Sequence, residues 1–534
     1  MTTSDRFKLK SRTVVMVCCF IVLSIAIRVV NINSPLFEEH DFRQTQTALT
    51  IRNFVEEGIK FFEYETPLFG PPWRVPFEFP TFQISAALLN RSGIKNIDVA
   101  GRITNIFYFY ISALFLYLIS TRFFKEKQQP FFILFYYLFN PYSIYWSRTC
   151  MIDYCSVAFS TGYLFFLIRW LESREKPLSS AFFYLSLIFG IFAYLTKITT
   201  VFVFIPLMAA FSVYQLWVRA DNSNALLSGE FLSKNKKIAA LIVLVFIIPL
   251  ILGYAWVLYT DYVKNSSPFT AWLTSKNLSD WNYGTLKQRL DITNWLKISG
   301  FLHVMVPGFL ALFIPFGFWY TLKENKKTAL FFLFSLTGII FEISSFFNLY
   351  VIHNYYLMAV SPMVSIVIGT SLYAFFYKFI RGNKIVLFIA VTFITLTVLP
   401  VAITKLRFPL TQNEYNSRMS LTNFLSSITG QNEYIIITDV DWNSRILYYS
   451  NRKGFMLRDK YRPEMGEFFK KYNFTTILNV TPNPELLSNW KYILEVDSQS
   501  TAKNRFHIFK VTDNPETLQN WREQFGLTNN RQDK

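Results

Sequence analysis

The chain has 534 residues, of which 52% are hydrophobic, 19% aromatic and only 16% charged, with a formal charge of +18 and a mean hydropathy of +0.26. This composition excludes an ordinary soluble domain, where roughly 25% of residues are charged, because the apolar residues gather into uncharged blocks long enough to cross about 30 Å of hydrocarbon. The Lys and Arg excess sits in short segments between alternate blocks, such as Arg122, Lys125 and Lys127 or Lys323, Lys326 and Lys327. That is how cytoplasmic loops are marked, so the basicity records topology and argues against a nucleic-acid partner.

With the basic N-terminus (Arg6, Lys8, Lys10, Arg12) placed in the cytoplasm, the predicted spans are 13–30, 99–121, 130–147, 151–170, 179–195, 197–217, 238–258, 300–321, 328–348, 354–377 and 384–403. Eleven spans put the C-terminus outside. The first reads as a retained signal anchor, since no small-residue cleavage site precedes Asn31–Ser34. A tight turn at Thr196–Lys197 must separate the fifth and sixth spans, or the later basic loops fall on the wrong side. Two outer loops are long, 31–98 and 259–299. The first contains the stretch Pro67–Pro80, whose prolines and Trp73 read as a semi-rigid interfacial segment. The run 79–90 is too short to span and reads as interfacial. The cysteines Cys18, Cys19, Cys150 and Cys155 lie in or beside apolar blocks and imply no disulfide framework.

Beyond residue 404 the composition is that of a soluble domain. Helical patterns near 416–428, 443–449 and 463–471 alternate with strand-like runs at 434–438, 475–479, 491–495 and 505–510. The expected fold is a multi-spanning α-helical membrane protein, 1–403, followed by a small soluble α/β domain, 404–534. No Gly-rich phosphate loop, zinc-type Cys/His spacing or nucleophile elbow is present.

Four short clusters could carry chemistry, and the topology puts all of them at the outer face. The densest is Glu38-Glu39-His40-Asp41-Phe42-Arg43-Gln44-Thr45, just beyond the first span. A carboxylate at a membrane surface is partly desolvated, which strengthens it as a base; the bland reading is a solvated loop start. Arg148 and Asp153 flank the next outer turn, where an acid opening an apolar helix is either a cap or functional. Lys197 runs against the positive-inside trend, and a cation at this depth suits a lipid phosphate. His353-Asn354-Tyr355-Tyr356 stands at the tenth span's entrance, a pattern that alone fits an aromatic belt equally well.

Together these residues resemble the GT-C superfamily of polyprenyl-phosphate-sugar glycosyltransferases, nearest to the family 39 group that includes protein O-mannosyltransferases and lipid A aminoarabinose transferases. The resemblance rests on His40 through Ala48, Arg148 through Asp153, Leu195-Thr196-Lys197, His353 through Tyr356, and Leu447 through Gly454. It implies transfer of a sugar from a polyprenyl-phosphate donor to an acceptor hydroxyl on a lipid, protein or glycan, by inverting displacement. The setting it implies is a bacterial inner membrane, with the site and C-terminal domain periplasmic or extracellular and lipids surrounding the spans. The acid matching the family's first-loop base is Asp41 or Glu39, with Asp41 favoured for its place beside the helix start. His40, Arg43, Gln44, Arg148, Lys197, His353, Tyr355 and Tyr356 are the implied substrate-binding residues, and Asp153 would orient the acceptor or a cation. No cofactor is required, although a divalent metal could bridge the acids.

The rival classes are a transporter or flippase, an oligosaccharide transferase or polymerase of related architecture, and a scaffold. Transporters place charges near the bilayer midplane in repeated halves. Here no repeat is visible, and Glu342, the nearest exception to clean helix centres, lies toward the outer end of its span.

Overall fold

The structure is a computed structural model that describes residues 18–126, 128–173, 176–219, 229–379, 412–458, 460–500 and 505–527. A short apolar helix α1 (Cys18–Arg28) leads into α2 (Asp41–Glu56), α3 (Thr81–Arg91), α4 (Ile97–Phe123), α5 (Gln129–Phe139), α6 (Pro141–Trp146) and α7 (Asp153–Glu172). Next come α8 (Ala181–Val201), α9 (Ile205–Arg219), α10 (Gly229–Asn265), α11 (Ser279–Tyr283), α12 (Leu286–Leu290), α13 (Ile292–Met305), α14 (Gly308–Ala311), α15 (Ile314–Glu324), α16 (Lys326–Ser345), α17 (Phe347–Ile352) and α18 (Ser361–Tyr373).

Five helical stretches are long and apolar enough to cross a membrane: α4, α7, Ala181–Arg219, Asn235–Asn265 and α16. A sixth arises if Ile292–Met305 and Gly308–Glu324 count as one span, although they meet at 89°. These helices make the chain an integral membrane protein. The expected eleven spans exceed what length and composition show, because α1, α5 and α18 are apolar but short. The expected span 300–321 is interrupted at Pro307, whose missing N–H cannot continue a helix. The expected span 384–403 and the 403/404 boundary lie outside the described residues.

The stretch Ala181–Arg219 is two antiparallel arms. Lys197 leaves helical backbone (φ −166°, ψ 97°), and its ammonium meets Asp153 at the start of α7. Arg219 donates to the carbonyls of Leu171 (2.8 Å) and Ser173 (3.2 Å) at the other end of α7. The chain therefore climbs along α7 and returns, with its reversal at Thr196–Lys197. Close approach is secured at Gly338, where a Cβ would stand 2.2 Å from the carbonyl oxygen of Val203. The end of the bundle away from Lys197 is tied by Glu172, which accepts from Arg122 (2.6 Å) and Lys327 (2.7 Å).

In the C-terminal domain, α19 (Gln412–Ile428) precedes β1 (Tyr434–Thr438), α20 (Arg445–Ser450), β2 (Gly454–Leu457), β3 (Phe474–Asn479), β4 (Tyr492–Ser500) and β5 (Arg505–Thr512). The sheet order is β2-β1-β3-β5-β4, with β1 parallel to β2 and β3 and β5 antiparallel to its neighbours. Strand β2 was not expected: its four residues, Gly-Phe-Met-Leu, are all buried and show no alternation to read. This C-terminal region packs against residues 57–98. Tyr448 and Tyr449 donate to the two oxygens of Asp98 at 2.5 and 2.8 Å, the Met456 N–H donates to the Leu68 carbonyl at 2.7 Å, and Lys453 bridges Glu57 and Glu65.

Candidate functional site

The site is built where four pieces of chain meet: the start of α2, the Pro67–Pro80 segment, the Thr196–Lys197 reversal packed on the start of α7, and the residues after α17. Phe79 N–H donates to the Leu195 carbonyl at 3.1 Å and Thr196 donates to Thr81 at 3.2 Å, which fixes the Pro67–Pro80 segment against the turn bearing Lys197. The Tyr64 hydroxyl receives the Phe77 N–H and donates to the Glu78 carbonyl at 2.8 Å. Glu78 is thereby presented beside Arg43, with which it forms an ion pair.

Two cation–carboxylate pairs result. Arg43 pairs with Glu78 and also donates to Gln46 at 2.8 Å. Lys197 Nζ donates to Asp153 Oδ1 at 2.5 Å, and both side chains are under 10% exposed. The second Asp153 oxygen is buried without a hydrogen-bond partner. Above the ammonium lie the rings of Tyr356, 4.5 Å from Nζ to centroid, and Tyr355, 5.5 Å away, a cation–π roof that holds charge in place with little water. Burial pulls the Arg43 guanidinium down, but the charges of Glu78, Tyr355, Tyr356 and Asp153 outweigh it and raise its pKa. Burial pushes the Glu78 carboxyl up, and Arg43 and Lys197 more than reverse that, so it sits below its ordinary value and ionised. Lys264, buried, adds a third cation on this side, 5.4 Å from the Phe77 ring.

His40 and His353 border these pairs. His40 takes a left-handed backbone (φ 55°, ψ 43°), a conformation that costs a non-glycine residue about 1–3 kcal/mol and persists where surroundings enforce it. Its Nε2 donates to Asn354 at 2.9 Å, and Asn354 donates to Glu39 at 2.6 Å. His353 stacks on Tyr355 at 5.2 Å and meets His40 edge-on at 5.0 Å. Burial lowers the pKa of both imidazoles, that of His353 to about 4, so both are neutral at pH 7.

Arg43, Asp153, Lys197, Tyr355, Tyr356, His40 and His353 thus come together. Three other candidates stand apart. Arg148 is fully buried; it pairs with Glu38 at 3.3 Å and donates to the carbonyls of Arg28 (3.1 Å) and Asn31 (3.0 Å), so its donors serve the fold. Gln44, also fully buried, straddles the Glu39 carbonyl and the Cys150 N–H as a strut. Asp41 is held by the C-terminal domain: Arg445 at 2.5 Å, Arg418 at 3.3 Å and Asn443 at 3.0 Å all donate to it. The Glu39 carboxylate is engaged with Asn354 at the edge of the site. Among the described residues no three His, Cys, Asp or Glu side chains converge to hold a metal ion. Glu78 and Lys264 were missed by sequence reading. The signal for Glu78 was an acid set between Phe77 and Phe79 in a segment otherwise read as interfacial.

No protein-family model and no curated protein matches the sequence. Among solved structures the chain is similar to ArnT from Cupriavidus metallidurans bound to undecaprenyl phosphate, with a TM-score of 0.61 and 11% identity over 93% of this chain and 98% of that one. The apo state of that protein gives 0.53 at 11% identity over 94% and 98%. The chain is also similar to the archaeal oligosaccharyltransferase AglB from Archaeoglobus fulgidus in complex with an inhibitory peptide and a dolichol-phosphate, at 0.50 and 12% identity over 86% and 69%. These likenesses show the fold: across most of its length the chain is folded as ArnT and AglB are.

Proposed function

We propose that the protein is a membrane glycosyltransferase that moves a sugar from a polyprenyl-phosphate donor to an acceptor hydroxyl. The observation that carries this reading is the pair of buried cations, Arg43 and Lys197, each held by one carboxylate, with Lys197 under an aromatic roof. Cations so placed, largely out of water, suit a phosphodiester. The neighbours' lipids support it as well, since one is bound to undecaprenyl phosphate and another to a dolichol-phosphate. Lys- and Arg-bearing turns gather at the opposite end of the bundle, around Arg122, Lys323 and Lys327, which supports a site facing away from the cytoplasm, in bacteria the periplasm.

In this mechanism the donor phosphate engages Arg43 and Lys197, and Glu78, released from its guanidinium, becomes the stronger base. The acceptor oxygen attacks the anomeric carbon and gives its proton to Glu78, while the bond to the phosphate oxygen breaks and its electron pair leaves with the phosphate. The anomeric centre inverts. No second acid is needed, because phosphate leaves as a weak base. Glu78 takes this role over Asp41 because Asp41 already carries two guanidinium groups. The test is a transfer assay with purified protein, a panel of polyprenyl-phosphate sugars and a membrane extract as acceptor. Lys197→Ala and Arg43→Ala should each cost about 100-fold or more in kcat/KM, about 3 kcal/mol of transition-state stabilisation. Glu78→Gln should lose kcat while retaining donor binding. Transfer by the Lys197→Ala variant at the wild-type rate would refute the phosphate assignment.

A further inference from the structure

The three parallel strands of the C-terminal sheet end on one edge, and the loop that leaves β1 there is tightly braced. Asp439 and Asp441 both adopt left-handed backbone (φ 65° and 54°), and Asp439 Oδ2 accepts the N–H groups of Val480 (3.2 Å) and Thr481 (3.1 Å), the residues following β3. This loop carries Trp442. Its indole is half-buried and surrounded by rings from other parts of the chain: Trp272 at 5.8 Å, Phe42 and Phe77 at 6.1 Å each, and Phe69 at 6.4 Å. The Phe77 ring also lies 5.9 Å from the Arg43 guanidinium, so this aromatic wall begins beside the Arg43–Glu78 pair. Its rim is polar. Arg458, the residue after β2, lies 4.2 Å over the Trp272 ring and pairs with Asp441 at 3.4 Å, both side chains being well exposed.

We propose that this wall is the acceptor subsite and that it takes a saccharide, so that the acceptor is a glycan. The proposal rests on the glycosyltransferase reading above and names its acceptor class. A pyranose presents a flat face of C–H groups, which packs on an indole or phenyl face and meets its negative quadrupole. Its hydroxyls need donors and acceptors at the rim of an otherwise apolar surface, and Arg458 and Asp441 supply both. The carboxyl edge of parallel strands is also where open α/β sheets collect ligands. A long lipid chain would have no use for an exposed ion pair at the rim, and an extended peptide would look for unpaired strand edges rather than stacked faces. Two strained aspartates holding one tryptophan are an outlay that packing alone does not require. Trp442 and Trp272 are therefore specificity residues, and the C-terminal domain is the part of the protein that selects the acceptor.

The experiment uses the full-length protein in nanodiscs, titrated with chitotriose, mannotriose and isomaltotriose while tryptophan emission is followed, and with a serine-containing hexapeptide as the competing class. At least one saccharide should shift the emission, with Kd near ~1 mM as a weak, largely stacked contact would give. Trp442→Leu should weaken that binding at least tenfold, Trp442→Phe should retain most of it, and undecaprenyl phosphate binding should change less than twofold in both. Equal saccharide binding by Trp442→Leu, binding of the peptide alone, or no saccharide response up to ~10 mM overturns the proposal. Failure of undecaprenyl phosphate to bind the wild-type protein would instead count against the donor reading, so the two failures are distinguishable.

Discussion

Replacing Glu38 by Gln removes the negative charge shared by Arg102 at 3.2 Å and Arg148 at 3.3 Å, with all three side chains no more than 2% exposed. The amide keeps the shape but leaves the Arg148 guanidinium in the interior without a counter-charge, and Arg102 with Asp98 alone. Breaking a buried ion pair in this way costs about 3–5 kcal/mol. Arg148 keeps the carbonyls of Arg28 and Asn31, and Arg102 keeps that of Ile32 at 3.0 Å, which places the expected loss near the lower end, about 3 kcal/mol, or roughly 150-fold in the folded-to-unfolded ratio. The assay is reversible unfolding of purified protein in mixed detergent micelles, followed by tryptophan emission. Glu63→Gln serves as control: its pair with Arg74 is about half exposed on both sides and should be worth no more than ~0.5 kcal/mol. A loss below ~1 kcal/mol for Glu38→Gln would refute the assignment of this triad to the fold. The same variant also separates two roles for Arg148, because a phosphate-binding Arg148 predicts a stable protein with weakened donor binding.

Asp41→Asn should loosen the docked C-terminal domain, since charge-assisted hydrogen bonds from Arg418 and Arg445 are worth about 1.5–3 kcal/mol together with their geometry. Limited proteolysis should then cut between 412 and 458 at least tenfold faster, whereas a purely catalytic Asp41 would leave cleavage unchanged and abolish transfer. The two neutral histidines make stability depend on pH. Burial holds His353 down at about 4 against an ordinary 6.5, so between those values the unfolded chain binds a proton that the folded chain refuses. Stability is present in full above about pH 6.5 and falls as the pH drops toward 4; His353→Gln should flatten that part of the profile, and an unchanged slope would show that other groups set it.

Long periodic features were legible in the sequence. The uncharged blocks gave the membrane helices, the runs at 434–438 and 475–479 became β1 and β3, and the reversal at Lys197 followed from the sidedness of charge alone. What stayed hidden depended on partners distant in the chain. Arg148 looked like a phosphate ligand because a buried arginine and a ligating arginine read alike; only Glu38, 110 residues away, distinguishes them. Asp41 looked like a base because nothing local announces Arg418 and Arg445. Glu78 was overlooked because its meaning comes from the Tyr64 clamp and the neighbouring Arg43, neither of which a proline-rich segment suggests. The β2 strand and the bend at Pro307 were missed because short apolar runs carry no period.

The grip of Arg418 and Arg445 on Asp41 spans 377 and 404 residues of chain, and that separation imposes an order on biogenesis. At about 5–20 residues per second, the ribosome delivers those arginines ~20–80 s after it has made Asp41. Throughout that interval α2 has its acid but not its clasp, and Asp98 waits likewise for Tyr448 and Tyr449. The loop that carries half of the candidate site is therefore finished last although it is made first. A nascent chain stalled before residue 440 would hold its membrane helices with the α2 face of the candidate site still unassembled.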